Sequence, residues 1–382
     1  MSDMVSVRRI VSRWVVPAAA FVLTAPLMPA GAQTQSAQTA QPAPSVDYTQ
    51  RQTQPPLDVD RDPIPSPDFE APIVPQAPGK ALAKQSNNLY TLQENVNEVL
   101  LNCTVVDSKN RLVKGLRKSD FQVWEDGVPQ TIASFVAQDV PVSMGILVDD
   151  SGSMIGKRGT ANQAALDLIR DSNPHDNAFI VNFNQHAYLD TALTSNVDDL
   201  QSGLSHFDDS GMTALYDAVT ASADELSHHA TQPKQVLLII TDGSDDASRL
   251  TLQQAVARVQ RLGGPVVYSI GLLYDAISPE DAAGARNALE TLSNDTGGLA
   301  FFPRSPDDID QVVAQIALDI RNQYTIGYHP TRSPGLGGFR TVEVQAHDRK
   351  YRTLIVRTTK GYYPRQIPQM HETAQVVQSS SH

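Results

Sequence analysis

Between residues 143 and 321 two kinds of hydrophobic pattern alternate. Short, almost unbroken apolar runs occupy 143–148, 178–183, 236–240, 266–273 and 299–302. Between and after them, 161–170, 197–207, 213–228, 252–262, 280–292 and 308–321 place apolar residues at the three-to-four-residue spacing of a helix. Short continuous runs suit strands buried on both faces, and strands alternating with helices predict a mostly parallel, doubly wound sheet covered by helices on both sides. In such sheets ligands lie beyond the carboxyl ends of the strands, near the point where strand order reverses. Candidate chemistry is therefore sought at those ends.

The flanks read differently. Residues 95–106, 121–125 and 131–136 are strand-like, with Asp126-Gly127 as a hairpin turn. After Asn322, the stretches YTIGY, TVEVQA and YRTLIV alternate or run apolar between turn residues. A lone hairpin buries too little to be stable, so 121–136 and 324–356 are expected to pack into one small accessory β module. The expected divisions are a 92–138 N-terminal β segment, a 142–322 α/β domain and a 323–365 C-terminal β segment.

The chain ends add an address and two loose segments. Arg8, Arg9 and Arg13 precede an apolar stretch, and Ala30-Gly31-Ala32 offers a small-x-small cleavage site, so 1–32 reads as a secretory signal peptide. Its apolar run is short and interrupted by Pro17, Pro26 and Pro29, which predicts no membrane span in the mature chain. Residues 33–86 are rich in Gln, Pro, Ala and Ser and are expected to form a disordered spacer, with 366–382 a similar tail. The protein is expected outside the cytoplasm, periplasmic or secreted.

Charge and cysteine content narrow the function. Of 382 residues 41% are hydrophobic and 19% charged, with a net charge of −12, which argues against nucleic acid as a partner. The balance is uneven: roughly 25 acidic against 10 basic residues over 142–322, but about 8 basic against 2 acidic over 323–365. The single cysteine, Cys103, sits in an apolar run and supports neither a disulfide framework nor a cysteine zinc site within one chain.

Three loops carry the oxygen chemistry. The first apolar run ends in Asp149-Asp150-Ser151-Gly152-Ser153, which places a carboxylate and two hydroxyls at two-residue steps. Thr213 precedes a helix in SGMTALYDAV, and VLLIITDGSDD ends a buried run with Asp242. Hard oxygen donors of this kind suit Mg²⁺ or Mn²⁺.

These loops resemble the metal-ion-dependent adhesion site of von Willebrand factor type A domains, whose pattern is Asp-x-Ser-x-Ser, then Thr, then Asp. Asp149, Ser151 and Ser153 match the first element, Thr213 the second and Asp242 the third. The resemblance implies a six-stranded doubly wound α/β fold related to the Rossmann type. It also implies direct contact of the ion with the two serines and, in a ligand-bound state, the threonine, the aspartates acting through water. A protein partner would then present an Asp or Glu to the ion. The stretch KGLRKSDFQVWEDGVPQTIASF and the later GYYP further resemble exported bacterial proteins of the VWFA-related group. Two departures stand out: Asp150 adds a carboxylate beside the site, and Ser210-Gly211-Met212 replaces a more glycine-rich approach to Thr213. Asp150, Asp245 and Asp246 are expected either to be solvated or to raise metal affinity.

Other classes fit less well. A phosphoryl-accepting receiver domain needs a lysine after a later strand, where Gly271-Leu272-Leu273-Tyr274 has none. No strand end carries Gly-x-Ser-x-Gly, as a serine hydrolase would. His175, His186, His206, His228 and His229 lack metal-ligand spacing. The reading is an exported, non-enzymatic, metal-dependent protein-binding module. The alternatives are a scaffold with a non-functional metal site and a metal-assisted hydrolase.

Overall fold

A computed structural model describes residues 63–64, 98–206, 208, 210–276 and 278–364. The expected signal peptide, the tail and all of the expected spacer but Pro63 and Ile64 lie outside the described residues. Those two form a short strand, β1 (Pro63–Ile64). The first long strand is β2 (Val99–Asp107), followed by β3 (Phe121–Glu125), β4 (Val128–Gln130) and β5 (Ile132–Val136). Between β3 and β4, Asp126 and Gly127 both adopt positive φ, 49° and 77°. That is the twist a two-residue hairpin requires, and Asp-Gly supplies it cheaply.

The central domain alternates β6 (Val142–Asp149), α1 (Arg158–Arg170), β7 (Asn177–Phe183) and β8 (Ala187–Thr194), then α2 (Val197–Leu204) and α3 (Leu215–His229). It continues with β9 (Lys234–Thr241), α4 (Leu252–Arg261), β10 (Val266–Gly271), α5 (Pro279–Thr296), β11 (Ala300–Phe301) and α6 (Ile309–Arg321). The strand order is β1-β8-β7-β6-β9-β10-β11. β7, β6, β9, β10 and β11 are mutually parallel, and β8 runs antiparallel to β7. Six strands therefore make the expected doubly wound sheet.

Alternation along the strands sorts side chains into two cores. Ile146, Val148, Leu238, Ile240, Tyr268 and Ile270 face one side, where α1, α2 and α6 contribute Leu168, Leu204 and Ile316. Leu147, Leu237, Ile239 and Val267 face the other, where α3, α4 and α5 contribute Val219, Val259 and Leu289. Both faces are dry, which is why these strands read as unbroken apolar runs.

Two features go beyond the sequence reading. β8 has no counterpart in it: the strand buries Ala187 and Tyr188 but leaves most later positions half-exposed, and its pairing with β7 shifts register twice. Two residues within the expected 33–86 spacer are among the described ones. Pro63 and Ile64 pair antiparallel with Tyr188 and Ala187, giving the sheet a seventh, two-residue edge strand. Proline is tolerated there because an edge strand leaves one row of its donors unpaired anyway.

The chain returns through β12 (Tyr324–Tyr328), β13 (Arg340–Ala346), β14 (Leu354–Arg357) and β15 (Gly361–Tyr362). These interleave with the N-terminal strands in two four-stranded sheets, β14-β2-β12-β5 and β15-β13-β3-β4. Leu101, Cys103 and Val105 from β2 pack with Phe121 and Val123 from β3, Ile326 from β12 and Val344 from β13 in one core. The expected accessory module is thus a small two-sheet structure closed by segments that the α/β domain separates in sequence. Burial also raises the Cys103 thiol to about 12, so it is a core thiol.

Candidate metal centre

The strand order reverses around β6, which has β7 on one side and β9 on the other. The carboxyl ends of β6 and β9 therefore meet at the switch point, and Asp149 is the last residue of β6. Its carboxylate is fully buried. Oδ1 accepts the Ser151 backbone N–H at 2.9 Å, and Oδ2 accepts the hydroxyl of Thr241, the last residue of β9. Burial lifts the Asp149 carboxyl to about 6, against the opposing pull of these donors. Thr241 Oγ1 in turn accepts the Gly243 N–H at 3.2 Å, so one hydroxyl ties the first loop to the third.

The remaining candidate residues follow as a chain of contacts. Ser151 Oγ lies 3.2 Å from Ser153 Oγ, and Ser153 Oγ donates to Asp242 Oδ1 at 2.7 Å. Thr213 is held by its backbone: its N–H donates to Asp246 Oδ1 at 2.6 Å, and its carbonyl accepts from the N–H groups of Asp246 and Ala247 at 3.0 and 3.1 Å. Gly152 N–H reaches Gly211 O at 3.4 Å, joining the first and second loops. A Cβ built on Gly243 would lie 3.6 Å from Thr213 Oγ1 and 3.8 Å from Ser153 Oγ. Hydroxyls from two loops thus converge on a hollow that the third loop leaves open by using glycine. All five candidate residues are brought together, four through direct hydrogen bonds and Thr213 through this shared hollow.

The extra carboxylates depart from expectation. Asp150 is 1% exposed, and its Oδ2 accepts the Asp208 N–H at 2.8 Å. Its Oδ1 lies 3.8 Å from Arg158 Nη1. Arg158, also buried, donates to the Asp149 carbonyl at 2.9 Å and to Asn182 Oδ1. Asp245 is half-buried and accepts the Tyr216 N–H at 3.3 Å, and burial pushes its carboxyl upward. Asp150 is therefore buried and engaged by its own chain, and Asp245 is half-buried against the Tyr216 N–H. Asp246, although exposed, positions Thr213.

Lys157 and Arg158 join the site although the ligand pattern in the sequence does not include them. Lys157 Nζ lies 2.6 Å from Asp242 Oδ2 and 2.6 Å from Asp275 Oδ1. Burial lowers its pKa, but the two carboxylates more than offset this and keep the ammonium above its ordinary value. A signal was present: two adjacent cations follow the first loop directly, in a domain where basic residues are scarce.

The donor set is lean in charge. Among the described residues no group of three or more His, Cys, Asp or Glu could hold an ion. The oxygen donors gathered here are three hydroxyls and the carboxylates of Asp149 and Asp242, a hard set of the kind that suits Mg²⁺ or Mn²⁺ better than zinc or copper.

A doubly wound α/β domain with such a hydroxyl-rich loop set at its switch point defines a recognisable class. Residues 144–244 match the family model of the von Willebrand factor type A domain, a span that contains all five candidate residues. Over that span, about a quarter of the chain, the sequence is similar to a von Willebrand factor type A domain. Similar solved structures include the PilB minor pilin from Streptococcus sanguinis, at 12% identity over 49% of this chain with a TM-score of 0.41. This chain spans 63% of that pilin's length. A von Willebrand factor type A protein from Catenulispora acidiphila is similar at 14% identity over 73% of this chain and 76% of its own, with a TM-score of 0.41. The von Willebrand factor domain of the type V pili tip protein Mfa5 from Porphyromonas gingivalis is similar at 11% identity over 48% of this chain and 96% of its own, with a TM-score of 0.39. No curated protein matches the chain.

Proposed function

We propose that this protein is an exported binding module without turnover, acting in the periplasm or secreted. One Mg²⁺ or Mn²⁺ would be held by Ser151, Ser153 and Thr213, with Asp149 and Asp242 behind them. The observation that carries this is the convergence of the Ser153 and Thr213 hydroxyls on the hollow at Gly243. Asp149 supports it, since both its oxygens already accept protein donors, which favours a role toward the ion through water. Bound there, the ion supplies an open coordination position for a carboxylate oxygen. The chain's own part is to hold three hydroxyls on loops fixed by Thr241, Asp246 and Gly152, so that an Asp or Glu of a protein partner completes the set.

Hydrolysis at such an ion needs a positioned base. Asp149 is committed to Ser151 and Thr241, and Asp242 to Ser153 and Lys157. Calorimetry on the mature chain is expected to show one Mg²⁺ site, lost in Ser151→Ala. Capture from envelope extract is expected in Mg²⁺ and not in EDTA, and to fail with Thr213→Ala. Partner capture that survives both EDTA and Thr213→Ala sinks the reading. Metal-dependent hydrolysis that disappears in Thr213→Ala moves the protein to the enzymes.

A further inference from the structure

We propose that Lys157 is a tethered cation that competes with the divalent ion for Asp242, and that Asp275 is the berth that shares it. This rests on the ion reading above and adds how the affinity of that site is set.

The geometry is an ammonium shared between two unlike carboxylates. Lys157 sits at the mouth of α1, just after the first loop, with its side chain 11% exposed. On one side, 2.6 Å away, is Oδ2 of Asp242, whose side chain is 1% exposed. On the other, also 2.6 Å away, is Oδ1 of Asp275, 54% exposed on the loop after β10. The Tyr274 ring centroid lies 6.0 Å from Nζ on this second side. Asp242 is the junction: Oδ1 accepts from Ser153, a candidate ligand, and Oδ2 accepts from Lys157.

Two consequences follow from elementary electrostatics. An ammonium in contact with Asp242 neutralises one of the two candidate carboxylates, so an arriving ion meets less attraction there. The ammonium also repels a divalent cation a few ångströms away, in a partly desolvated place where such terms are large. Asp275 works in the opposite direction. It gives the ammonium a second, solvent-facing counter-ion, so that Asp242 can serve the ion without leaving a buried cation unpaired. A purely structural rivet between α1 and the β9 loop would not need Asp275.

The test is calorimetric titration of the full mature chain with Mg²⁺, and separately Mn²⁺, for wild type, Lys157→Met and Asp275→Asn. Lys157→Met keeps the length and apolar stem of the side chain and removes its charge. It is expected to bind on the order of tenfold more tightly or better. Asp275→Asn, at an exposed position, leaves the ammonium with Asp242 alone and is expected to bind severalfold more weakly. The opposite signs separate competition from a structural role, which predicts loss or no change in both. Ion binding by wild type that Lys157→Met leaves equal or weakens overturns the competition while the ion site stands. If Lys157→Met does not fold, unchanged or tighter binding by Asp275→Asn overturns it instead. Absence of binding by every folded variant overturns the ion site itself.

Discussion

Two clusters of buried polar groups in this molecule are built on opposite plans. In the β module, Glu125 and Arg340 are both buried, and Glu125 Oε1 accepts Arg340 Nη1 at 3.0 Å. Glu125 Oε2 accepts the hydroxyls of Tyr328 and Tyr362, each at 2.7 Å, and Arg340 Nη2 donates to the Ser333 carbonyl at 2.7 Å. The carboxylate is saturated by its own chain, and β3, β12, β13 and β15 are tied through it. At the switch point of the central sheet the backbone of each loop is fixed, but the hydroxyls are not used up. Thr213 Oγ1 makes no hydrogen bond among the described residues, and Ser153 is exposed. A closed network of buried charge holds a fold together. One left open toward solvent on fixed loops retains capacity for a ligand.

The closed cluster is where a single change has the largest effect. Glu125→Ala leaves the buried Arg340 charge without its carboxylate, with only the Arg332 and Ser333 carbonyls as hydrogen-bond partners, and strands two tyrosine hydroxyls in the module core. Removing one partner of a buried ion pair typically destabilises by about 3–5 kcal/mol. Denaturant unfolding, read by near-ultraviolet dichroism, should show a loss of that size with the candidate ion site unchanged. A loss under about 1 kcal/mol would mean that the cluster is more open than its hydrogen bonds imply.

Lys234 is an intermediate case that sharpens the contrast. It opens β9, is almost fully buried, and donates from Nζ to the Ile320 carbonyl at 2.7 Å. Burial outweighs the fields of Asp139, Asp176 and Asp319 and lowers its pKa to about 8. A lysine whose folded pKa lies below its unfolded value binds fewer protons when folded. The penalty is therefore complete below pH 8 and is relieved as pH rises from about 8 toward the unfolded value of 10.5. Lys234→Met should stabilise by about 2 kcal/mol at pH 7, once the lost hydrogen bond to Ile320 is allowed for. That gain should shrink between pH 8 and 10. Stability curves across this range check the sign, and a gain independent of pH would assign the effect to packing instead.

The legibility of these regions in the sequence follows from the range over which their residues interact. Runs such as 143–148 and 236–240 announce strands because both faces of each are covered, so periodicity and burial agree. The first-loop residues are legible because Asp149, Ser151 and Ser153 lie within one turn of chain, and Asp242 ends a buried run. β8 was not, since an antiparallel edge strand with register shifts and half-exposed positions carries no clean alternation. Nor were the partners of Asp150 and Lys157 legible. Arg158 meets Asp150 because the β6–α1 connection turns back on itself, and Lys157 meets Asp242 and Asp275 because the switch point folds separate loops together. Sequence spacing encodes what a loop offers and leaves open which charges from elsewhere will claim it.

The smallest expected effect on stability, at Ser153, probes the contrast most directly. Its hydroxyl joins Ser151 to Asp242 at 3.2 and 2.7 Å, yet the residue is exposed, so water can replace what the hydroxyl supplies. Ser153→Ala should therefore change unfolding free energy in EDTA by no more than about 0.5 kcal/mol. The same substitution removes one of three candidate hydroxyl ligands. In wild type, Mg²⁺ at one hundred times its dissociation constant should add about 2.7 kcal/mol through linkage. At that same concentration most of the increment should vanish in the variant, because weakened binding moves the ion out of its saturating range. Melting curves of both proteins in Mg²⁺ and in EDTA resolve the two contributions. A variant destabilised by more than about 1 kcal/mol in EDTA, with the Mg²⁺ increment retained, would make Ser153 a structural link of the Glu125 kind. The distinction between the open and closed clusters would then fail at the residue on which it depends most.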